Sequence, residues 1–341
     1  MQFTKKQNTL FIILLLAMVF LFLVNISLGS VPIPIKEIIK GIVSQEMSKE
    51  SWKIILWDFR FPKAITASLV GIGLSISGLL MQTLFRNPLA GPYVLGLSSG
   101  ASLGVAFIIL GTGFLPTFIS SFFLSNYGIV IASSFGSFLV LMAVLLVSQK
   151  LKDTMAILIV GLMFGSFTSA IVSVLSYFTT AEKLQKFTFW SMGSISNLSW
   201  NEISLLSVFV VIGIGISFMV IKPLNALLLG EKYAQSIGIN YKKTRFLIII
   251  ATSILAGSIT AFTGPIAFIG LAVPHMAKLL FQTSNHLVLF WSTLLVGAIV
   301  MLCCDTIAQV PGNDITLPIN AITSVIGAPV VIWLLVRKKR F

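Results

Sequence analysis

Charge is what this 341-residue chain has least of: Asp, Glu, Lys and Arg together make up 10% of it, against 57% apolar residues. Soluble domains carry roughly 25% charged residues. No stretch here is polar enough for a water-facing domain, so the chain reads as one membrane domain over residues 1–341. Histidine is nearly absent, and His275 and His286 form no metal-ligand pair. The two cysteines, Cys303 and Cys304, are adjacent inside an apolar run, which gives neither ligand spacing nor a disulfide framework. No Gly-x-x-x-x-Gly-Lys-Ser/Thr loop occurs, so nucleotide is not bound by that route, and an ATPase driving transport would be another polypeptide. No catalytic group, resident cofactor or metal is expected.

What the chain has instead is apolar length. A helix needs about 20 mainly apolar residues to cross the bilayer. Such runs recur over 10–29, 62–84, 93–111, 127–148, 154–178, 201–220, 245–262, 265–281, 287–308 and 319–336, the eighth being the weakest. The expected fold is all-α and polytopic, with about ten transmembrane helices. Lys5 and Lys6 ahead of Leu10–Val24, with Ser27 and Gly29 beyond, have the layout of a signal peptide. That run extends through Leu28, however, and the topology needs it as the first crossing.

An even number of crossings puts both termini on one side. If that side is cytoplasmic, it holds Lys5, Lys6, Arg86, Lys150, Lys152, Lys222, Lys232, Lys242, Lys243, Arg245, Lys278, Arg337, Lys338, Lys339 and Arg340, against only Asp153 and Glu231. The other side holds Lys36, Lys40, Lys49, Lys53, Arg60, Lys63, Lys183 and Lys186 against Glu37, Glu46, Glu50, Asp58, Glu182, Glu202 and Asp314. The net charge of +13 is therefore a topological bias toward the inner face, and it calls for no nucleic-acid partner.

Three segments are irregular where a plain bundle would be continuous. Arg86-Asn87-Pro88-Leu-Ala-Gly-Pro92-Tyr93 must turn, Gly264-Pro265 breaks an apolar run, and Pro274-His275 interrupts the eighth span. Breaks at membrane depth are tolerated where they are buried in protein or line a cavity. Gly96, Gly100 and Gly104, like Gly161 and Gly165, stack small residues on one helix face. Such faces serve either close packing or a smooth substrate path, and the fifth span, with Ser166, Thr168, Ser169 and Ser173, is the candidate path. Asp305 is the one carboxylate within a span, either an ion site or a partner for neighbouring polar groups. The loop 222–243 has apolar residues at helical spacing (Leu228, Ala234, Ile237) punctuated by Gly230 and Gly238. It suits one or two short helices on the inner surface, or an ordinary connector.

Arg60-Phe-Pro-Lys63, Gly78-Leu-Leu-Met-Gln82, the run Arg86 to Ala101, Gly264-Pro-Ile-Ala-Phe-Ile-Gly-Leu-Ala-Val-Pro-His275, Leu317-Pro-Ile-Asn320 and Ile326-Gly-Ala-Pro329 occur in that order. Together they resemble the FecCD-type permeases of bacterial iron-chelate and vitamin B12 importers. The resemblance implies a multi-pass subunit of the bacterial cytoplasmic membrane that pairs with an identical or sister permease. It further implies two cytosolic ATPase subunits, substrate delivery from an extracytoplasmic binding protein, and alternating access. Coupling helices would fall at Leu229, Gly230, Glu231, Ala234, Ile237 and Gly238. Docking positions for the binding protein would fall at Arg60, at Lys63, which keeps charge without the guanidinium fork, and at Gln309, where the charge is gone.

The leading expectation is thus the permease of an importer for an iron chelate, a ferric siderophore first, with heme and cobalamin as neighbouring substrates. An ion-coupled transporter working alone is the alternative from another class, and an enzyme acting on lipid is a distant third. Ion coupling would require the Asp305 carboxylate for transport, whereas the importer reading would not.

Overall fold

The computed structural model describes residues 4–44, 46–111, 126–150, 154–196, 198–312 and 315–337. Lys152, Asp153, Asp314, Lys338, Lys339 and Arg340 of the charge assignment lie outside them. All regular structure among the described residues is helical, as hydrocarbon demands of a chain whose backbone must satisfy itself.

The helices are α1 (Lys5–Ser27), α2 (Ile35–Val43), α3 (Glu50–Ile54), α4 (Phe61–Leu84), α5 (Leu97–Ile109), α6 (Asn126–Lys150), α7 (Thr154–Tyr177), α8 (Ala181–Ser191), α9 (Trp200–Met219), α10 (Ile221–Leu227), α11 (Glu231–Ser236), α12 (Tyr241–Thr263), α13 (Ile269–Phe281), α14 (His286–Ala308) and α15 (Ile319–Arg337). Seven candidate membrane spans are long enough by themselves: α1, the rod from Glu50 to Leu84, α6, α7, α9, α12 and α14. The shorter apolar helices α5, α13 and α15 fall in the remaining three expected spans.

Two expected spans are corrected at their starts. The third does not begin as helix at Tyr93: Pro92–Leu95 is a 3₁₀ turn, Gly96 is left-handed, and α5 starts at Leu97. The eighth begins at Ile269, because residues 264–268 include no helix and Phe268 takes a left-handed φ of 67°.

The chain divides into two compact units. The first comprises Met1–Ile76, Ser194–Val208 and Ala267–Phe341. In it α1 lies along α14, and Phe11 meets Phe281 with ring centroids 4.7 Å apart. Helices α4 and α14 touch backbone to backbone at Gly71 and Gly297: a Cβ built at Gly71 would lie 2.2 Å from the Gly297 carbonyl oxygen, and one at Gly297 would lie 2.4 Å from that of Gly71. Two isolated glycines carry no sequence repeat, so this crossing was not legible beforehand.

The same unit explains the turn before α4. Residues Ile55–Arg60 form a π-helical turn, with the Phe61 amide donating to the Leu56 carbonyl. In that register the Trp57 carbonyl faces Pro62, which has no N–H to give. The Trp200 indole donates to it instead, at 3.1 Å.

The second unit comprises Ser77–Gly193 and Phe209–Ile266. Its tightest pair is α5 on α6. A Cβ at Gly100 would come within 2.6 Å of the Gly136 carbonyl, and one at Gly104 within 2.0 Å of the Ala132 carbonyl. Gly96 is likewise pressed on α7, 3.0 Å from the Gly161 carbonyl by the same measure. The small-residue stripe is therefore a packing face that brings backbones together. Beyond it Val105, Ala106, Ile109 and Leu110 are buried under Ile129, Val172, Leu175, Phe187 and Trp190.

Enlarging this contact should separate the helices. Gly104→Val is expected to destabilise the detergent-purified protein by about 1–3 kcal/mol, the usual penalty of overpacking. Gly215→Ala, where a Cβ meets nothing within 4 Å, should be neutral or slightly stabilising. Thermal unfolding of the two variants in parallel checks the contrast.

Candidate functional site

The ends of α1, α4 and α14 meet in the first unit around Asp305. This carboxylate is only 1% exposed. Its Oδ1 lies 3.1 Å from Lys63 Nζ. Its Oδ2 accepts from Asn25 Nδ2 at 2.8 Å and from Gln309 Nε2 at 2.9 Å. Asn25 also donates to Thr306 Oγ1 at 3.0 Å. That fixes α1 to α14. Burying a charge is costly unless it is paired and hydrogen-bonded, and Asp305 finds both kinds of partner within the chain.

Arg60 serves the same end of α1. Its guanidinium donates to the carbonyls of Ile26 (3.0 Å), Ser27 (3.1 Å) and Val31. The first two belong to the last turn of a helix, where carbonyls have no intrahelical donor. The three residues matched to docking positions are thus engaged within the chain: Lys63 and Gln309 share Asp305, and buried Arg60 holds the neighbouring end of α1. Asn25, the other donor to Asp305, was not picked out from the sequence, since one amide in an apolar run gives no pattern.

The breaks are anchored by side chains. At the end of α4 the Arg86 amide donates to the Thr83 carbonyl and the Asn87 amide to that of Gln82, which is a Schellman cap. The left-handed position of that cap usually falls to glycine, yet Arg86 occupies it with φ 48°. An L-residue there costs about 1 kcal/mol. Asn87 Oδ1 accepts the Leu89 amide at 2.9 Å, and Pro88 lies inside that turn. Pro92 opens the 3₁₀ turn, and the Tyr93 hydroxyl accepts from Thr260 Oγ1 at 3.2 Å and from the Ile266 amide at 3.4 Å. Gly264, at φ 72°, has no room for a side chain, since a Cβ would lie 2.5 Å from the Trp190 carbonyl. Pro265 follows it, its carbonyl 3.2 Å from where a Gly193 Cβ would stand. In the first unit the Ala267 amide donates to Asn320 Oδ1 at 3.0 Å. Pro274 lies inside α13, with His275 half-buried beside it.

Helix α7 separates the residues grouped as a path. Gly161 is buried and Gly165 stands half-buried beside Ser99, both toward α5. Ser166, Ser169 and Ser173 lie on the exposed side. Ser166 and Ser173 return their hydroxyls to the carbonyls of Leu162 (3.2 Å) and Ser169 (3.0 Å), so that side presents few free donors. The segment Gly96-Leu-Ser-Ser-Gly100 has the Gly-x-Ser-x-Gly spacing of a hydrolase elbow. It forms the start of α5, with no strand among the described residues to build the strand-turn-helix that such an elbow needs.

The basic loop folds as α10, a turn and α11. Gly230 has φ 121°, a backbone region all but closed to other residues. Its carbonyl accepts the Ala234 amide, and Glu231 occupies the first turn of α11. Gly238, at φ 87°, closes a second Schellman cap: its own amide donates to the Gln235 carbonyl and that of Ile239 to Ala234. Ala234 is fully buried and faces the protein, so it shapes the segment. Among the outward side chains, beside Lys232, Gln235 and Ser236, are large apolar ones: Leu229 is 68% exposed, Tyr233 48% and Ile237 53%. Tyr233 has no place in the apolar spacing read from the sequence. Arg86 Nη2 donates to the Leu227 carbonyl at 2.6 Å, tying the end of α4 to the end of α10.

Long apolar helices interrupted at anchored breaks, with a folded basic loop between two of them, define a multi-span membrane permease. The profile of the FecCD transport family matches residues 15–337, and the chain belongs to that family, whose members are multi-pass proteins of the bacterial cytoplasmic membrane. It is 33% identical over 288 residues to the vitamin B12 import system permease protein BtuC of Klebsiella pneumoniae, covering 84% of each chain. To the BtuC of Salmonella typhi it is 34% identical over 289 residues, 84% of this chain and 85% of that one. A solved inward-facing structure described as a metal-chelate type ABC transporter superposes with a TM-score of 0.84 at 30% identity, over 97% of this chain and 99% of that one. PsaBC from Streptococcus pneumoniae, at TM-score 0.56 and 16% identity over 88% and 95% of the two chains, shares the fold.

Asp305→Asn leaves the Lys63 ammonium without a counter-charge, and the expected loss of stability is about 3–5 kcal/mol. The pair Lys63→Met with Asp305→Leu should recover most of it, because an apolar replacement leaves no stranded charge. Thermal unfolding measures both. Uptake per folded molecule should persist in Asp305→Asn, and its abolition would instead support ion coupling.

Proposed function

We propose that this chain is the permease of an ATP-driven importer that moves a metal chelate, a ferric siderophore first, across the cytoplasmic membrane by alternating access. The observation that carries the coupling is the loop 222–243, where a segment shaped by two left-handed glycines holds Leu229, Tyr233 and Ile237 outward amid Lys222 and Lys232. Exposed apolar side chains on a folded loop mark a partner surface, and two cytosolic ATPase subunits are the partners that fit. The basic loops then face the cytoplasm, as do both termini. A second permease, identical or sister, completes the conduit, with the serine side of α7 along the path as part of a single membrane domain.

An extracytoplasmic binding protein delivers the substrate. Arg60, Lys63 and Gln309 contribute to its docking by fixing the ends of α1, α4 and α14, not as free charges. The breaks at Asn87, Pro88, Pro92, Gly264, Pro265, Pro274 and His275 supply the points where helices can change direction. Metal chelate as substrate is supported by the likeness to the metal-chelate type transporter over nearly the whole chain. Cobalamin is the second reading, favoured by the vitamin B12 permeases among its relatives.

Liposomes holding the purified complex should take up ferric hydroxamate or catecholate only with ATP and the binding protein, at least about tenfold faster than heme or cobalamin. The reverse preference would establish cobalamin, and uptake by this chain alone would sink the importer reading. Tyr233→Glu combined with Ile237→Glu should lower the amount of co-purifying ATPase by about tenfold.

A further inference from the structure

Arg86 is conspicuous because its backbone and its side chain have opposite interests. It sits at the left-handed position of the cap that ends α4, φ 48°, where glycine meets no steric penalty. Its guanidinium crosses to the last carbonyl of α10, Leu227, at 2.6 Å, a distance typical of a charge-assisted bond. That carbonyl ends a helix, and it also accepts the Gly230 amide at 3.2 Å, so the guanidinium and the hinge glycine meet on one oxygen. Three residues later Gly230 begins α11, and a Cβ built there would lie 3.5 Å from the same guanidinium. One side chain at the end of the membrane-spanning helix α4 therefore reaches both the end of α10 and the hinge of the short helix that bears Tyr233.

We propose that Arg86 is a positioning residue for coupling: it clamps the α10–α11 hinge to the C-terminal end of α4, so that motion of one is carried to the other. The inference rests on the reading of 222–243 as the ATPase-facing segment. A purely conformational residue at this position would be improved by glycine, because glycine removes the left-handed strain and keeps both backbone bonds of the cap. The clamp makes the opposite demand, since glycine deletes the guanidinium that reaches Leu227 from the end of α4. Lysine restores the charge and one donor without the planar fork.

The test uses the complete importer in liposomes, with wild type, Arg86→Gly, Arg86→Lys and the Tyr233→Glu/Ile237→Glu double variant in parallel. Co-purified ATPase, melting temperature and substrate imported per ATP hydrolysed are measured for each. Arg86→Gly is expected to melt at or above the wild-type temperature with its ATPases bound, and to import at least about tenfold less substrate per ATP; Arg86→Lys should regain part of that loss. Wild-type coupling in Arg86→Gly would overturn the clamp. So would a lower melting temperature with ATPase lost, which would make Arg86 structural only. Full ATPase retention in the Tyr233→Glu/Ile237→Glu variant would instead overturn the assignment of the segment, a failure distinct from that of the clamp.

Discussion

The constraint on which this structure depends is that a backbone in hydrocarbon has no water to fall back on, so every interruption of a helix must find another partner. The chain interrupts its helices repeatedly, and at several breaks a side chain answers. Trp200 takes the Trp57 carbonyl that Pro62 cannot serve. Arg86 takes the last carbonyl of α10. The Tyr93 hydroxyl receives the Ile266 amide, and Asn320 receives the Ala267 amide. Arg60 holds the carbonyls at the end of α1. Irregular backbone is stable here because it is anchored, and an anchored break can serve as a hinge without melting.

The same logic governs the charges. Asp305 is the least exposed carboxylate among the described residues, and it is surrounded by Lys63, Asn25 and Gln309 in a closed set of ion pair and hydrogen bonds. That arrangement suits a structural joint between the ends of three helices, and it leaves no carboxylate oxygen idle for a transported ion. The exposed face of α7 is similarly quiet, its serine hydroxyls turned back to their own helix. On the proposed reading of this face as the path, it offers a large chelate little to bind to. That suits an importer whose selectivity resides in a separate delivery protein.

The loop between α9 and α12 shows how local rules make a surface. Two glycines at positive φ set the turn and the cap, Ala234 fills the inner side, and Leu229, Tyr233 and Ile237 are left about half or more exposed. The outward set is therefore fixed by which positions the caps leave exposed. Hydrophobicity alone would have paired Ala234 with Ile237, whereas the structure sends one inward and the other outward.

Sequence by itself determined the membrane setting, the all-helical class, the approximate spans and the location of the breaks. These follow from run length, charge scarcity, proline and glycine, all of them local properties of the chain. It also gave the family, through motifs spread in order from Arg60 to Pro329. Only the tertiary structure decided who partners whom. Asn25 meets Asp305 across 280 residues and Arg86 meets Leu227 across 141, while Gly71 meets Gly297 with no repeat to announce it. Pairings of that length depend on how helices cross, and a crossing is set by the whole set of packed faces rather than by any segment's own pattern. For that reason the residues matched to docking positions emerged as a joint between helix ends, and the arginine that opens the first break emerged as a contact to the loop between α9 and α12.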